Sequence, residues 1–191
     1  MKGEPVYREI LRGVYELKIS HFNIRSLSKA TGIPPSTVSH SLKQLKEMGA
    51  IDVGRSGLTV KNPKKILLYW CSVRRLAPSV IYRKHLEMAV EEIEGLVPPS
   101  TIFTAFTAFK RRFEYAPAEY SEVYAYGELD EFRARFGSPS LPKERNNLIV
   151  MAPDAHLKRL GRATLAQIYA DLWNIPSWYS QDFINELDKM I

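Results

Sequence analysis

The chain has 191 residues, of which 45% are hydrophobic and 25% charged, as in ordinary globular proteins rather than disordered ones. No apolar run approaches the roughly 18 residues that a membrane helix needs, which argues against a membrane-spanning protein. Cys71 is the single cysteine, so an internal disulfide is excluded. Because no apolar signal region follows Met1, we expect a cytoplasmic protein.

The net charge of +6 is divided unevenly along the chain. Residues 1–75 hold 14 Lys/Arg and 5 Asp/Glu, a balance of +9, whereas residues 76–191 hold 13 and 16, a balance of −3. A basic excess confined to one segment is the expected footprint of nucleic-acid binding, although a solvated basic surface gives the same count. The local motifs must therefore decide between these interpretations.

Three helices are predicted in the basic segment from the helical spacing of apolar residues. The first runs from Pro5 to about His21 and the second from about Arg25 to Thr31. Gly32 then supplies a left-handed cap at the end of the second helix. A third helix starts at Pro34–Pro35, where a missing backbone N–H costs nothing, and ends at Gly49.

The third helix has two opposed faces. At 100° per residue, Val38, Leu42 and Leu45 form one apolar stripe. The opposite and flanking positions carry polar or charged side chains, which are short towards the N-terminal end, namely Ser36, Thr37, Ser39, His40, Lys43, Gln44 and Glu47. After this helix, Ile51–Val53 and Leu58–Val60 alternate like strands around the turn Gly54-Arg55-Ser56-Gly57. A further helix starts at Asn62-Pro63.

Residues 5–61 resemble the winged helix-turn-helix domains of prokaryotic transcription regulators, above all in the segment Gly32–Ile51. The resemblance implies a recognition helix at about Pro35–Met48 in the major groove of DNA and a wing at about Ile51–Val60. Base contacts are then expected from Ser36, Thr37, Ser39, His40 and Lys43. Phosphate or wing contacts are expected from Arg25, Lys29, Lys46, Arg55 and Lys61. The double proline departs from the family pattern because it removes backbone N–H groups that bind a phosphate.

Residues 77–191 are predicted to form a second, small α+β domain, behind a winged helix-turn-helix domain at residues 1–76. An amphipathic helix is predicted over Pro78–Leu96, and another helix is predicted after Ser100. The residues of the first that are expected to face inward are Val80, Ile81, His85, Ala89, Ile93 and Leu96. Apolar runs predict strands at Ser121–Tyr126 and Asn146–Ala152. Further helices are predicted at Leu129–Phe136, Thr164–Trp173 and Ser180–Ile191.

Sites for chemistry are not apparent in the sequence. The four histidines lack ligand spacing, and no phosphate-binding loop or nucleophile motif is present, so we expect no metal, no cofactor and no enzyme activity. The aromatic residues Phe113, Tyr115, Tyr120, Tyr124 and Tyr126 are interpreted as core in preference to the lining of a ligand pocket or a partner surface. Asp171 and Asn174 are interpreted as polar caps at a helix end in preference to site residues.

The order of elements, together with Gln167-Ile168-Tyr169-Ala170-Asp171-Leu172-Trp173, is similar to regulators of the AbiEi antitoxin type. That resemblance implies a nucleotidyltransferase-like fold without its catalytic set, autoregulation of an operon, and a partner toxin.

The leading hypothesis is a sequence-specific regulator that binds double-stranded DNA as a homodimer. The first helix, the helix after the wing and the predicted 79–96 helix are the candidate dimer interfaces. The alternatives are an antitoxin that binds its toxin through residues 77–191, or an enzyme acting on nucleic acid. The carboxylates to test for the last of these are Glu119, Glu122, Asp130 and Asp171.

Overall fold

The first part of the chain is a helical domain with a small sheet. The computed structural model describes residues 3–55, 57–140 and 145–191. In chain order the first elements are α1 (Glu4–Leu17), β1 (His21–Phe22), α2 (Ile24–Thr31), α3 (Pro35–Glu47), β2 (Ile51–Gly54), β3 (Gly57–Val60) and α4 (Pro63–Val73). β3 lies between β1 and β2 and is antiparallel to both, so the predicted two-stranded wing gains a third strand. Ser56, in the predicted wing turn, lies outside the described residues.

The first helix is shorter than predicted, and the strand that follows it was missed. Lys18 adopts a left-handed conformation with φ of 59°, and the backbone N–H of Ile19 donates to the carbonyl of Gly13 at 2.8 Å. These features end α1 at Leu17 instead of His21. The residues after α1 form β1, which pairs with the outer edge of β3. This pairing satisfies the backbone hydrogen-bonding groups of that edge.

The second part of the chain is a mixed sheet surrounded by helices, as expected for an α+β fold. A 3-10 helix at Ala77–Ser79 precedes β4 (Val80–Lys84), α5 (Val90–Leu96), β5 (Ile102–Phe103), α6 (Ala105–Phe113), β6 (Val123–Tyr126), α7 (Leu129–Phe136), β7 (Leu148–Met151), α8 (Ala155–Leu160), α9 (Leu165–Trp173) and α10 (Ser180–Asp188). The strand order is β4-β7-β6-β5. β6 and β7 are parallel and connected through α7, whereas the other neighbours are antiparallel.

The predicted helix over Pro78–Leu96 is wrong. Residues 80–84 form β4, which pairs with the fully buried strand β7, and within the predicted span only Val90–Leu96 is α-helical. The backbone N–H and C=O groups of the buried strand β7 require hydrogen-bond partners on both sides. Residues 80–84 supply those partners on one side, so they form a strand despite the helical spacing of their apolar residues. As a result His85, Ala89 and Leu96 are exposed instead of inward-facing, and the 79–96 helix is withdrawn as a dimer interface.

Two further elements differ from the prediction. No helix starts at Ser100; Ile102–Phe103 instead forms β5, which pairs with β6, and α6 begins at Ala105. Between β7 and α9 the structure adds α8, which the sequence did not predict because it is short. The side chain of Asp154 starts α8 by accepting a hydrogen bond from the backbone N–H of Leu157 at 2.8 Å.

One hydrophobic core runs through both parts of the chain. It includes Ile10 of α1, Trp70 of α4, Tyr169 of α9 and Phe183 of α10, all buried. Four of the five predicted aromatic residues pack in or against this core: Tyr126 is buried, Phe106 contacts the rings of Tyr120 and Tyr124, and Phe109 contacts that of Phe113. For Tyr115 the core interpretation is wrong, because its ring contacts Phe109 but its side chain is 42% exposed. A smaller cluster fills the opposite face of the second sheet, under α5 and α7. The boundary at residues 76 and 77 therefore stays a prediction.

Candidate DNA interface

Side-chain hydrogen bonds stabilise α2 and the turn that follows it. Asn23 caps α2 by accepting from the backbone N–H of Ser26 at 2.7 Å, and Gly32 ends α2 with φ of 74°. The hydroxyl of Ser28 donates a hydrogen bond to the carbonyl oxygen of Ile33 at 2.6 Å. The hydroxyl of Thr31 donates a hydrogen bond to the carbonyl oxygen of Leu27, also at 2.6 Å. The bond from Ser28 connects α2 to the turn before α3, whereas the other two stabilise α2 itself.

The third helix presents the two faces expected from its sequence. Val38, Leu42 and Leu45 are buried in the core. The predicted base-contacting residues lie on the other side, where Ser36, Ser39, His40 and Lys43 are exposed and Thr37 is half-buried. Ser36, Thr37, His40 and Lys43 also line one groove of about 780 Å³ beside Tyr7 and Tyr69. The structure thus brings these predicted residues together on one surface.

The double proline at the start of α3 changes how the helix begins. The backbone N–H groups of Thr37 and Val38 donate to the carbonyl of Pro34 at 3.0 Å, and no side chain caps the helix. Proline supplies no N–H of its own, so Ser36 carries the first free backbone donor of this helix.

The wing places two predicted arginines beside one groove. β2 and β3 pair from Ile51 with Val60 to Gly54 with Gly57, and Arg55 follows the end of β2. A groove of about 440 Å³ runs between this tip and the start of α2, with Arg25 on one wall and Arg55 on the other. Arg25 and Arg55 therefore lie on the same side of the domain, next to the N-terminus of α2.

The predicted basic residues share one electrostatic property. All of them are exposed, and within the described residues none pairs with a carboxylate; they are Arg25, Lys29, Lys43, Lys46, Arg55 and Lys61. Elsewhere, lysines such as Lys64, Lys110 and Lys158 do form ion pairs. An unpaired surface cation keeps its full charge for a phosphate, whereas a paired one must first release its carboxylate.

A buried polar network behind the interface was not predicted. Asp171 is fully buried and accepts hydrogen bonds from Nε of Arg74 at 2.7 Å, from the hydroxyls of Thr104 and Tyr126 at 2.6 Å, and from Gln167 at 3.0 Å. Its interpretation as a helix-end cap is therefore wrong. Burial opposes the charge of Arg74, but the carboxylates around it raise its pKa above the ordinary value.

A second part of this network joins α1 to the segment around α8. Arg8 donates to both carboxylate oxygens of Asp154, at 2.9 and 2.7 Å, and through Nε to Gln167 at 2.7 Å. Arg8 also donates to Nδ1 of His156 at 3.2 Å, so Nε2 of His156 carries the proton that reaches Glu9 at 3.1 Å. Burial raises the pKa of Glu9, but the hydrogen bonds from His156 and Arg12 outweigh burial and lower it to about 2.

One signal for this network is present in the sequence, namely charged residues on apolar helix faces. Arg8 and Asp171 each lie among hydrophobic neighbours in their helices, a position where a charge requires a buried partner. The partners could not be assigned from the sequence because Arg8 and Asp154 are 146 positions apart.

Other predicted features gain no site from the structure. Asn174 donates to the carbonyls of Cys71 and Ala170, in keeping with a helix-end role. Within the described ranges, no three His, Cys, Asp or Glu residues lie close enough to hold a metal ion. In the same ranges, no helix has both the length and the apolar character needed to cross a bilayer.

Comparison with known proteins places the helix-turn-helix in a class. The family described as bacterial regulatory protein, arsR family, matches residues 13–53, from the second half of α1 to β2. The match covers roughly a fifth of the chain. It supports the prediction that the N-terminal part contains a winged helix-turn-helix domain like those of DNA-binding bacterial regulators. No curated protein and no solved structure matches the chain.

The resemblance to antitoxin regulators gains no support from these comparisons. In the structure, Gln167 and Asp171 of the segment that suggested it are buried and hydrogen-bonded within the chain. These two side chains hold the fold together and are not available to a partner. The toxin partner and the nucleotidyltransferase-like fold therefore stay predictions that rest on the order of residues alone.

Proposed function

We propose that this chain is a transcription regulator that binds a specific sequence of double-stranded DNA. α3 enters the major groove and reads base edges, while the wing formed by β2 and β3 contacts the backbone or the minor groove. The observation that carries this proposal is the set of six exposed, unpaired cations around the helix-turn-helix described above. About six phosphate contacts correspond to a slope near −5 in a plot of log affinity against log salt concentration.

The polar face of α3 assigns separate roles to the residues of the interface. Ser36, Thr37, Ser39, His40 and Lys43 are the proposed base contacts, and His40 and Lys43 have the longest reach of the five. Arg25, Lys29, Lys46, Arg55 and Lys61 are the proposed phosphate contacts, and the charge of Lys43 counts with them as the sixth in the salt slope. Regulators of this kind commonly bind inverted half-sites as symmetric dimers, and we extend that expectation to this chain.

The proposal is tested by selecting bound duplexes from a random library with the full chain. The selected sequence is then compared with a scrambled duplex at several salt concentrations, using His40→Ala, Lys29→Ala and, as a control of equal charge change, Lys189→Ala. Lys189 pairs with Glu186 on α10, in the last helix of the chain. An inverted repeat in the selected duplexes would also support the dimer.

We expect His40→Ala to cost about 1–3 kcal/mol on the selected duplex and to relax sequence preference. Lys29→Ala is expected to weaken binding to both duplexes equally and to reduce the salt slope by about 0.9. Lys189→Ala should match the wild type. The assignment of α3 fails if His40→Ala binds both duplexes as the wild type does, and the proposal fails if no duplex is enriched.

A further inference from the structure

A cleft of about 800 Å³ opens between the helix-turn-helix and the rest of the chain. One wall consists of Ile33, Pro34 and Thr37, from the turn and the first residues of α3. The facing wall includes Pro78 and Ala152, before β4 and after β7. The volume falls within the range of small-molecule sites in proteins, and the facing walls offer mostly apolar contacts. The cleft thus joins the start of the recognition helix to the α+β part.

The floor of the cleft is charged and held in place. Arg8 and Arg74, which are 1% and 5% exposed, both line it together with Glu4 and Asp154. Arg8 pairs with both oxygens of Asp154, and Arg74 pairs with Glu4 and with Asp171 behind the floor. These two carboxylates of the floor are already engaged by arginines, so they offer little repulsion to an anion that enters.

The rim of the cleft carries a charge without a partner. Arg75 lines the cleft and is exposed, and no carboxylate or carbonyl of the described residues pairs with it. This contrasts with the neighbouring Arg74, whose three guanidinium nitrogens each donate a hydrogen bond, to Asp171, Glu4 and Tyr126 respectively. A single unpaired guanidinium group presents two parallel N–H donors, which match the two oxygens of one carboxylate.

We propose that this cleft binds a small organic acid, with its apolar body between the walls and its carboxylate on Arg75. We further propose that the bound acid lowers the affinity of α3 for DNA, which rests on the function proposed above. Pro34 and Thr37 contact the ligand and begin the recognition helix, so ligand and DNA act on the same few residues. A carboxylate held there also repels the DNA phosphates. The two ligands therefore oppose each other, and the coupling is reciprocal.

The test tethers a charged group in the cleft, so that the natural ligand need not be known. Ala152→Cys places an exposed thiol on the cleft wall, and Ala134→Cys on α7 is the control position, also exposed. Each is labelled with 2-sulfonatoethyl or 2-trimethylammonioethyl methanethiosulfonate, which add an anion or a cation of similar size. Cys71 does not compete, because burial raises the pKa of its thiol to about 12.

We expect the anionic label at position 152 to raise the melting temperature by about 2–4 °C over the cationic label, and Arg75→Ala to abolish that difference. The anionic label should also weaken binding to the selected duplex about fivefold or more, whereas labels at position 134 change neither quantity. Equal melting temperatures for the two labels at position 152 would overturn the ligand site. Unchanged DNA affinity would overturn the coupling.

The two proposals fail in distinguishable ways. Melting is measured without DNA, so the ligand site is tested even if the unlabelled chain binds no duplex. DNA binding is also measured for the wild type and for the unlabelled Ala152→Cys and Ala134→Cys chains. If none of the three binds the selected duplex, the proposed function is wrong. A label effect on DNA affinity with normal binding by both unlabelled chains isolates the coupling.

Discussion

Arg74 is the residue on which the charge balance of the buried network depends. Its guanidinium group contacts Asp171, Glu4 and the hydroxyl of Tyr126, and it is 5% exposed. Asp171 is fully buried, so loss of Arg74 leaves a carboxylate with neutral donors only. Breaking a buried pair from one side typically costs about 3–5 kcal/mol, because the remaining charge has no compensation.

We therefore expect Arg74→Met to lower the free energy of unfolding by about 3–5 kcal/mol, measured by urea denaturation. Methionine keeps an unbranched apolar stem beside Trp70, whose ring centroid lies 5.9 Å from Cζ of Arg74. The matched control is Arg75→Met, one residue along the chain, where the arginine is exposed and forms no ion pair with the residues that the structure describes. That variant should stay within about 0.5 kcal/mol of the wild type. Equal losses in the two variants would show that the network contributes no net stability.

At the scale of elements, Gly57 fixes the position of the wing. Its φ is 137°, and a Cβ atom there would lie 2.2 Å from the carbonyl oxygen of Phe22 in β1. Gly54, its partner across the β2–β3 ladder, has open space around the same position. Any side chain at residue 57 therefore has to push β1 away from β3, and it also strains the backbone.

We expect Gly57→Ala to lose stability from two sources, backbone strain and overpacking, each worth about 1–3 kcal/mol. It should also weaken DNA binding, because Arg55 moves relative to Arg25. Gly54→Ala, in the same hairpin, should change stability by about 0.5 kcal/mol or less. Urea denaturation and binding to the selected duplex measure the two effects. A Gly57→Ala chain as stable as Gly54→Ala would contradict the close contact with β1.

The elements also show how far the sequence predicts this structure. α3 and the wing could be predicted because their signals are local: an apolar stripe, a glycine cap and a turn between alternating residues. β4 could not be predicted, because it is stabilised by pairing with β7, which is far away in the sequence. This long-range pairing outweighs the local preference indicated by the helical spacing of its residues. The exposed cations of the interface follow from the motif, whereas the cleft and its arginine floor require contacts between residues far apart in the chain.

At the scale of the whole molecule, the DNA-binding part depends on the rest of the chain. α1 and α4 both pack against α9, and the main core includes residues from Val6 to Leu187. Polar contacts cross the same junction, since Glu16 of α1 accepts from the backbone N–H of Leu165 at 2.7 Å. Removing residues 77–191 exposes the apolar surfaces that α1 and α4 bury against α9. The isolated N-terminal fragment therefore loses much of the stabilisation that burial of these apolar surfaces provides.

We expect the full chain to unfold in urea in one transition, with coincident curves from far-UV circular dichroism and from tryptophan fluorescence. Trp70 lies in α4 while Trp173 and Trp178 lie late in the chain, so fluorescence reports on both parts. A fragment of residues 1–76 should lack a cooperative transition, because its half of the shared core has no partner. Two separate transitions in the full chain, or cooperative unfolding of the fragment, would show that the helix-turn-helix folds independently. In that case a ligand in the cleft acts by moving two folded units, and not by changing the packing of one.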